Sequence, residues 1–483
     1  MFSSSPVQGR GVRMAMGSES PSSARPSPNR APASRAVGRK GAATSLSVSP
    51  RHDNLYLGID FGTSGARCVV IDEGEEILHS EKVDYGAGGG DDDAVSTSIW
   101  RDALFNLLGG IPTGLSSSLR AICVDGTSST SFLVNRRDWS VSSRPLLYNF
   151  AAEPSVVERV RAIAPDGNIT RSSTSTLSKL FTWLYQDGIE ISEDLLLLHQ
   201  ADWLSFLLLE SPDALGVSDY NNALKLGYDP EIEDYPEWMK AQDWMGMVPR
   251  KIVAPSTPLG NVSASIAETY DIPEACQVAA GTTDSIAAFL AAGASAPGEA
   301  VTSLGTTLAI KVLSKTRVDS LRYGIYSHKL WGDLWLAGGA SNTGGAVLRK
   351  HFTDDEIADL SARIDVSKPT DLQYYPLVEP GERFPIADEN LQPKLDPRPA
   401  EDVTFLQGIL EGIADIEHRC FTLLREEGCT EVSRVMTCGG GSKNEVWSEM
   451  RQRRLKVPVS SAKQVEAAYG SARLALRSNS QVT

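Results

Sequence analysis

Two hairpins of one design restrict what this 483-residue chain can fold into. The first is Tyr56-Leu-Gly-Ile-Asp-Phe-Gly-Thr-Ser-Gly-Ala-Arg-Cys-Val-Val-Ile-Asp72, two short apolar, β-branched runs around a turn of glycine and hydroxyls. Asp60 closes the first strand, Gly62 lets the backbone bend, and Thr63 and Ser64 set hydroxyls beside unpaired turn amides. Such a concave array of donors suits a phosphate, and Asp60 is placed to hold the Mg²⁺ that accompanies one. Taken alone, the stretch reads more readily as an ordinary hairpin with a polar tip. The stretch Glu299 to Val312 changes that reading, because it repeats strand, Gly305-Thr306-Thr turn, strand. Two copies imply a duplicated fold whose halves each present a phosphate clip to one cleft.

Residues 1–52 hold eight of the chain's 46 Lys and Arg but one of its 61 Asp and Glu, Glu19. A basic, Ser- and Pro-rich leader without an apolar core has the composition of an organellar transit peptide, for a plastid rather than a mitochondrion; a plain disordered tail is the other reading. Without it the rest is more acidic than the net charge of −15 for the whole chain. So acidic a body argues against nucleic acid or an anionic membrane as partner. No apolar run reaches the roughly twenty residues of a membrane-spanning helix. The six cysteines show no CxxC and no ligand-like spacing with histidine, which fits buried thiols in a reducing compartment. What remains is too long for one core, and two domains of about 200 residues are expected.

In chain order, a Gly/Asp loop over Asp84–Asp93 precedes an amphipathic helix over Val95–Leu108. The strand Leu119–Val124 then runs into Asp125-Gly-Thr-Ser128. Ligands of α/β folds sit at strand carboxyl ends, so Asp125 and Ser128 are candidates to meet sugar hydroxyls; capping of an ordinary turn explains them equally well. Lys179 reads as a solvated helix cation. Asp202 reads as a helix cap, His199 as a structural histidine and Asn221–Asn222 as a turn. Asp284 follows a Gly-Thr-Thr turn and opens an Ala-rich helix, where it serves either as N-terminal acid or as proton acceptor. Trp331–Leu348, with Gly339, is a strand feeding a glycine-rich turn, where backbone can approach a nucleotide closely. Residues 349–398 read as a polar connection of low information, and Glu401–Arg425 as a long core helix. Val435-Met-Thr-Cys-Gly-Gly-Gly-Ser-Lys-Asn-Glu-Val-Trp447 is a buried strand, three glycines and a capped helix, a nucleotide-contact pattern.

The paired hairpins resemble the actin/hexokinase-type ATPase fold. Together with Gly281-Thr-Thr-Asp284, the 439–441 glycines and the closing Glu466-Ala-Ala-Tyr-Gly-Ser-Ala472, they resemble the FGGY carbohydrate kinases in order over roughly 54–476. The resemblance implies an α/β fold of two duplicated RNase H-like domains flanking a catalytic cleft. Its expected parts are a sugar and phosphate domain over 54–291, a nucleotide-binding domain over 292–465, and a last helix, 466–483, returning to the first domain. It implies ATP and Mg²⁺ as cofactors, a small sugar as substrate, and a monomer or weak homodimer. Asp284 would be the general base, with Asp60 and Thr63 completing the catalytic set and Asp60 on the metal. Asp60, Ser64, Gly65, Ala66, Arg67, Asp125, Ser128 and Asp284 would surround the sugar. Thr63, Ser303, Gly305, Thr306, Gly339, Gly440, Gly441, Ser442, Lys443, Asn444 and Trp447 would hold the nucleotide, with Asn444, Trp447 and Met450 bounding adenine.

Within that family, Gly58-Ile-Asp-Phe-Gly-Thr-Ser-Gly-Ala-Arg67 with Val124-Asp-Gly-Thr-Ser128 looks like the plant and cyanobacterial D-ribulose kinases. Xylulokinases usually carry Gln-Met-His-Gly where this chain has Asp-Gly-Thr-Ser, and Asn149-Phe150 departs from their acidic pattern too. D-Ribulose is therefore the expected substrate. D-Xylulose is the alternative, and a catalytically inactive sugar- and nucleotide-binding protein is the alternative of another class.

Overall fold

The computed structural model describes residues 53–86 and 97–480. The expected leader, most of the Asp84–Asp93 loop and Val95 lie outside the described residues. The described residues belong to one compact unit built on two six-stranded sheets.

The two sheets repeat one plan. In the first, Leu55–Phe61 pairs antiparallel with Gly65–Ile71, which pairs antiparallel with Ile77–Asp84. On its other side Leu55–Phe61 pairs parallel with Leu119–Gly126, followed by Gln277–Ala279 and Pro258–Asn261. In the second, Glu299–Leu304 pairs antiparallel with Leu308–Ser314 and parallel with Arg434–Cys438. Trp335–Ser341 and Tyr326–Lys329 extend one edge, and Val459–Ser461 the other. The duplication expected from the hairpins is thus present in the order and direction of five strands, while the sixth, Pro258–Asn261 in one sheet and Tyr326–Lys329 in the other, lies on opposite edges. The crossovers carry helices onto the sheet faces, as parallel pairing requires.

Three apolar clusters follow. One fills the first lobe, around Ile59, Val124, Trp183 and Leu204. The second lies between the second sheet and the long helix Asp402–Glu426, around Ile310, Val312, Ile409 and Trp447. The third joins the lobes, with Val69 and Ala121 of the first sheet and Leu313 and Leu336 of the second. Helices Asp284–Ala291 and Ala467–Asn479 run through this third cluster.

The last helix packs onto the first sheet through small residues. A Cβ on Gly58 would lie 2.0 Å from the Ala468 carbonyl oxygen and 2.1 Å from the Ala472 nitrogen. One on Gly470 would lie 1.8 Å from the Ala287 oxygen. Backbone meets backbone there, so neither position can yield by a rotamer change. Gly58→Ala is expected to destabilise the chain by about 1–3 kcal/mol or more, read as a lower urea midpoint. An unchanged midpoint would mean that the helix is not seated on Gly58.

Candidate active site

The two hairpin tips are alike in exposure: Gly62 and Gly305 are half-buried, while Thr63-Ser64 and Thr306-Thr307 face solvent. Behind the first tip the chain gathers carboxylates. Asp60 and Asp125 are direct neighbours on adjacent parallel strands, and Gly126 bridges to Thr283. Register alone therefore brings Asp60, Asp125 and Asp284 to one sheet end, the end where ligands of such sheets bind.

Asp60 is 4% exposed and lies opposite Arg67, whose Nη1 is 3.4 Å from its carboxylate and also 3.4 Å from Glu466. Burial raises its pKa, Asp284 adds to the rise, and the hydrogen bond with Asp125 and the Arg67 charge oppose it. Asp125 is fully buried, with Oδ2 accepting from Ser471 Oγ at 2.5 Å. Burial, then the Asp60 charge, pushes its pKa well above the ordinary carboxylate range. Two carboxyls this close cannot both ionise cheaply, and Asp125, the more deeply buried, holds the proton.

Asp284 begins its helix, and Oδ1 accepts from the Ser285 N–H at 2.6 Å. The capping expectation is thus met in part, since Thr283 is the N-cap and makes no side-chain cap bond. Burial raises the Asp284 pKa, against the Ser285 N–H and the charges of Lys311 and Lys225. Nearby, Asn221 donates to Thr282 Oγ1 at 2.9 Å. Asn221 Oδ1, Thr283 Oγ1 and Ser129 Oγ are buried without partners among the described residues. Buried polar atoms in folded proteins are nearly always paired. A group of unpaired ones beside Asp284 matches what a polyol would satisfy.

Across the cleft, a cavity of about 830 Å³ opens on the second lobe. Gly305, Thr306, Gly440, Gly441, Lys443, Asn444 and Trp447 line it. Thr63, Ser303, Gly339 and Ser442 are not in its wall. Thr63 stays on the first tip, a Cβ on Gly339 would meet the Phe384 ring, and Ser442 Oγ donates to the Gly439 oxygen at 2.7 Å. Gly439 has φ +84°, and a Cβ there would lie 2.6 Å from the Leu304 oxygen, so the glycine run packs tightly against the second hairpin.

Several sequence expectations need correction. Ala66 is wholly buried in the first core, so it offers no side chain to a sugar. Lys179 is no solvated cation: it is fully buried, and Nζ donates to the Ser129 oxygen at 2.7 Å. Trp447 and Met450 belong to the second core. Trp447 Nε1 donates to the Leu410 oxygen at 3.1 Å, and Gly441 rests on its ring edge. Asn444 caps the helix Glu445–Leu455 and donates to Ser361 Oγ. Both residues shape the cavity floor rather than offer free groups. Residues 349–398 are not mere connection: helix Asp354–Ser361 gives Asp354, Ile357, Ala358 and Ser361 to the cavity wall. The signal was there, since Thr353 and Glu356 form a capping box. His199 and Asp202 do act structurally, paired at 2.9 Å in a capping box of their own.

The cavity's glycine loop is braced by a buried ion pair that no motif announced. Arg451 Nε and Nη2 donate to the two Glu417 carboxylate oxygens at 2.6 and 2.7 Å, and both side chains are 0% exposed. Arg451 also donates to Thr437 Oγ1, while Thr302 Oγ1 donates to Glu417. Trp447→Ala is expected to cost about 3–5 kcal/mol of stability, as for a buried tryptophan, together with a weaker ADP affinity through the loosened floor. Weaker ADP binding at unchanged stability would place the ring in direct contact with the base instead.

Residues 300–478 match the FGGY family of carbohydrate kinases, C-terminal domain. The chain is 25% identical over 243 residues to the gluconokinase of Bacillus subtilis (strain 168), a match that spans 44% of this chain and 47% of that protein, about half of each. The fold is similar to a xylulose kinase from Bifidobacterium adolescentis, with TM-score 0.71 and 21% identity over 89% of this chain and 93% of that one. It is also similar to Plasmodium falciparum glycerol kinase with ADP, with TM-score 0.72 and 18% identity over 89% and 90%. The chain therefore has the α/β fold of this xylulose kinase and this glycerol kinase, and residues 300–478 match the C-terminal domain of the FGGY carbohydrate kinases.

Proposed function

We propose that the chain transfers the γ-phosphoryl group of ATP to a hydroxyl of a small sugar, most favourably D-ribulose, to give D-ribulose 5-phosphate. The observation that carries this reading is the placement of Asp284. This half-buried carboxylate lies at the end of the first sheet beside buried polar atoms that have no partner among the described residues, and the second lobe carries a nucleotide-sized cavity.

Phosphoryl transfer asks a protein for placement, charge neutralisation and a proton acceptor. The sugar hydroxyl gives its proton to Asp284, its oxygen bonds to the γ-phosphorus, and the bond to the β–γ bridging oxygen breaks to release ADP. The hairpin tips and the 439–441 glycines offer backbone N–H groups to the phosphates. Asp60 fits a metal in the manner Mg²⁺ prefers beside phosphates, one or two carboxylates with the remaining positions left to phosphate and water. Mg²⁺ at Asp60 would neutralise phosphate charge. Asp125, protonated and tied to Ser471, orients Asp60.

Asp284 must be ionised to accept a proton, and burial raises its pKa above the ordinary value. Activity is thus lost as pH falls through that raised pKa, so the acid limb of kcat/KM should lie above the usual aspartate range. Asp284→Asn keeps the shape and removes the acceptor, so kcat should fall by roughly 10²–10⁴. Near wild-type turnover in that variant would end the assignment.

The preference for D-ribulose rests on the Asp125–Thr130 turn. A site built to bond one hydroxyl rejects the epimer, because buried groups are left unpaired. Short side chains stand here where xylulokinases carry long polar ones. We expect kcat/KM for D-ribulose to exceed that for D-xylulose by at least about tenfold, roughly 1.4 kcal/mol, in side-by-side assays at saturating Mg·ATP. Equal efficiencies would leave the kinase reading without its substrate.

A further inference from the structure

The duplication makes Lys311 an anomaly. In the first hairpin Gly58 pairs with Val69, and in the second the equivalent pair is Val301 with Lys311. Val69 packs in the cluster that joins the lobes. Along the strand Leu308–Ser314, Ile310 and Val312 turn into the second lobe's own core, while Leu313 turns to the joining cluster. Alternation therefore points Lys311 at the first lobe. Its row across the sheet is Val301, Lys311, Gly338 and Tyr326, and Gly338 brings its strand close against it: a Cβ there would lie 2.1 Å from the Ile310 oxygen and 3.0 Å from Lys311 Cα. A position that the fold builds for an apolar side chain carries an ammonium group instead.

That ammonium reaches across the cleft. Lys311 Nζ donates to the Ser285 carbonyl oxygen at 3.1 Å, and the Ser285 N–H is bonded to Asp284. An ammonium has three donors, so two remain to point elsewhere. Lys225 ends the helix Tyr220–Leu224 of the first lobe, which packs on the strand Tyr326–Lys329 of the second sheet, and the Asp284 charge acts on it as on Lys311. Among the described residues neither lysine is in ion-pair contact with a carboxylate, although the chain is strongly acidic. The groups within reach of their charges are Asp284, with His328 and Cys438 from the second sheet, and the Asp284 charge acts in turn on Asp60 and Asp125. Burial lowers the Lys311 pKa to about 8, against the pull of Asp284. An unpaired, partly desolvated cation costs free energy, and a bound anion would recover it.

We propose that Lys311, together with Lys225, forms a subsite for an anionic oxygen group beside Asp284. The proposal rests on the reading of Asp284 as the proton acceptor. Two ligands share the required chemistry: the phosphoryl group in transit from ATP, and a carboxylate carried by an acidic sugar. In either case the two lobes supply one cation each, so the subsite is complete only with both present.

The test is equilibrium binding by Lys311→Met, with Lys311→Gln in parallel should the first fail to fold, and Lys311→Arg as the charge-keeping control. The probes are ADP alone, ADP with aluminium fluoride, and D-gluconate. If the subsite holds the phosphoryl group, Lys311→Met loses at least about tenfold in affinity for ADP with aluminium fluoride and keeps its affinity for ADP. kcat then falls by roughly 10²-fold, the loss typical of one oxyanion donor, and Lys311→Arg restores part of both. Loss of D-gluconate affinity alone supports the subsite and names the sugar as its source. Unchanged affinity for both probes, or an equal loss for ADP alone, overturns the proposal. These binding results stand even if no sugar is phosphorylated or Asp284→Asn stays active, outcomes that would remove the kinase reading instead.

Discussion

The structure hangs on the seating of the last helix, Ala467–Asn479, against backbone of the first lobe. Gly58 and Gly470 let it approach the strand Leu55–Phe61 and the helix Asp284–Ala291 at distances where no Cβ fits. That closeness places Ser471 Oγ on Asp125 and Arg473 on Glu75. Residues near the end of the chain thus fix the proton-bearing acid beside Asp60, more than 340 positions earlier by the Ser471–Asp125 separation of 346. A loosened helix would disturb the carboxylates before it disturbed the second lobe.

Duplication supplies two equal frames, and their side chains make them unequal. Asp60 sits opposite Arg67 in the first hairpin, whereas the matching pair in the second is Ser303 and Ala309. The acid therefore appears in one lobe alone. The second lobe has instead a cavity walled by the glycine loop and by helix Asp354–Ser361. One frame is left to place an acceptor and the other to hold a donor. Lys311 breaks the symmetry in the opposite sense, with a cation where the first hairpin has Val69.

Much of this was legible in the sequence for a physical reason: turns that bind phosphate need glycine and hydroxyls at fixed offsets, and those survive as short strings. Both hairpins, the strand-end Asp125, the helix-opening Asp284 and the 439–441 glycines belong to that class. Contacts made across sequence distance were not legible. The bonds of Glu417 with Arg451 and of Lys179 with the Ser129 oxygen need the fold to be known first. Trp447 shows the same limit in reverse, since a glycine-rich turn followed by an aromatic predicts a base-stacking ring as easily as a ring beneath the turn. The wall helix Asp354–Ser361 was missed although its capping box was in plain view, because its polar surroundings read as connection.

The central claim is that donor and acceptor bind to opposite lobes of one cleft. Hydrogen–deuterium exchange with each ligand alone tests it most directly. The account predicts that ADP slows exchange in residues 304–307 and 439–447. D-Ribulose alone should slow exchange in 125–130 and 281–285 and leave the ADP segments unchanged. Protection of the same segments by both ligands, or protection by D-ribulose confined to the second lobe, would contradict it.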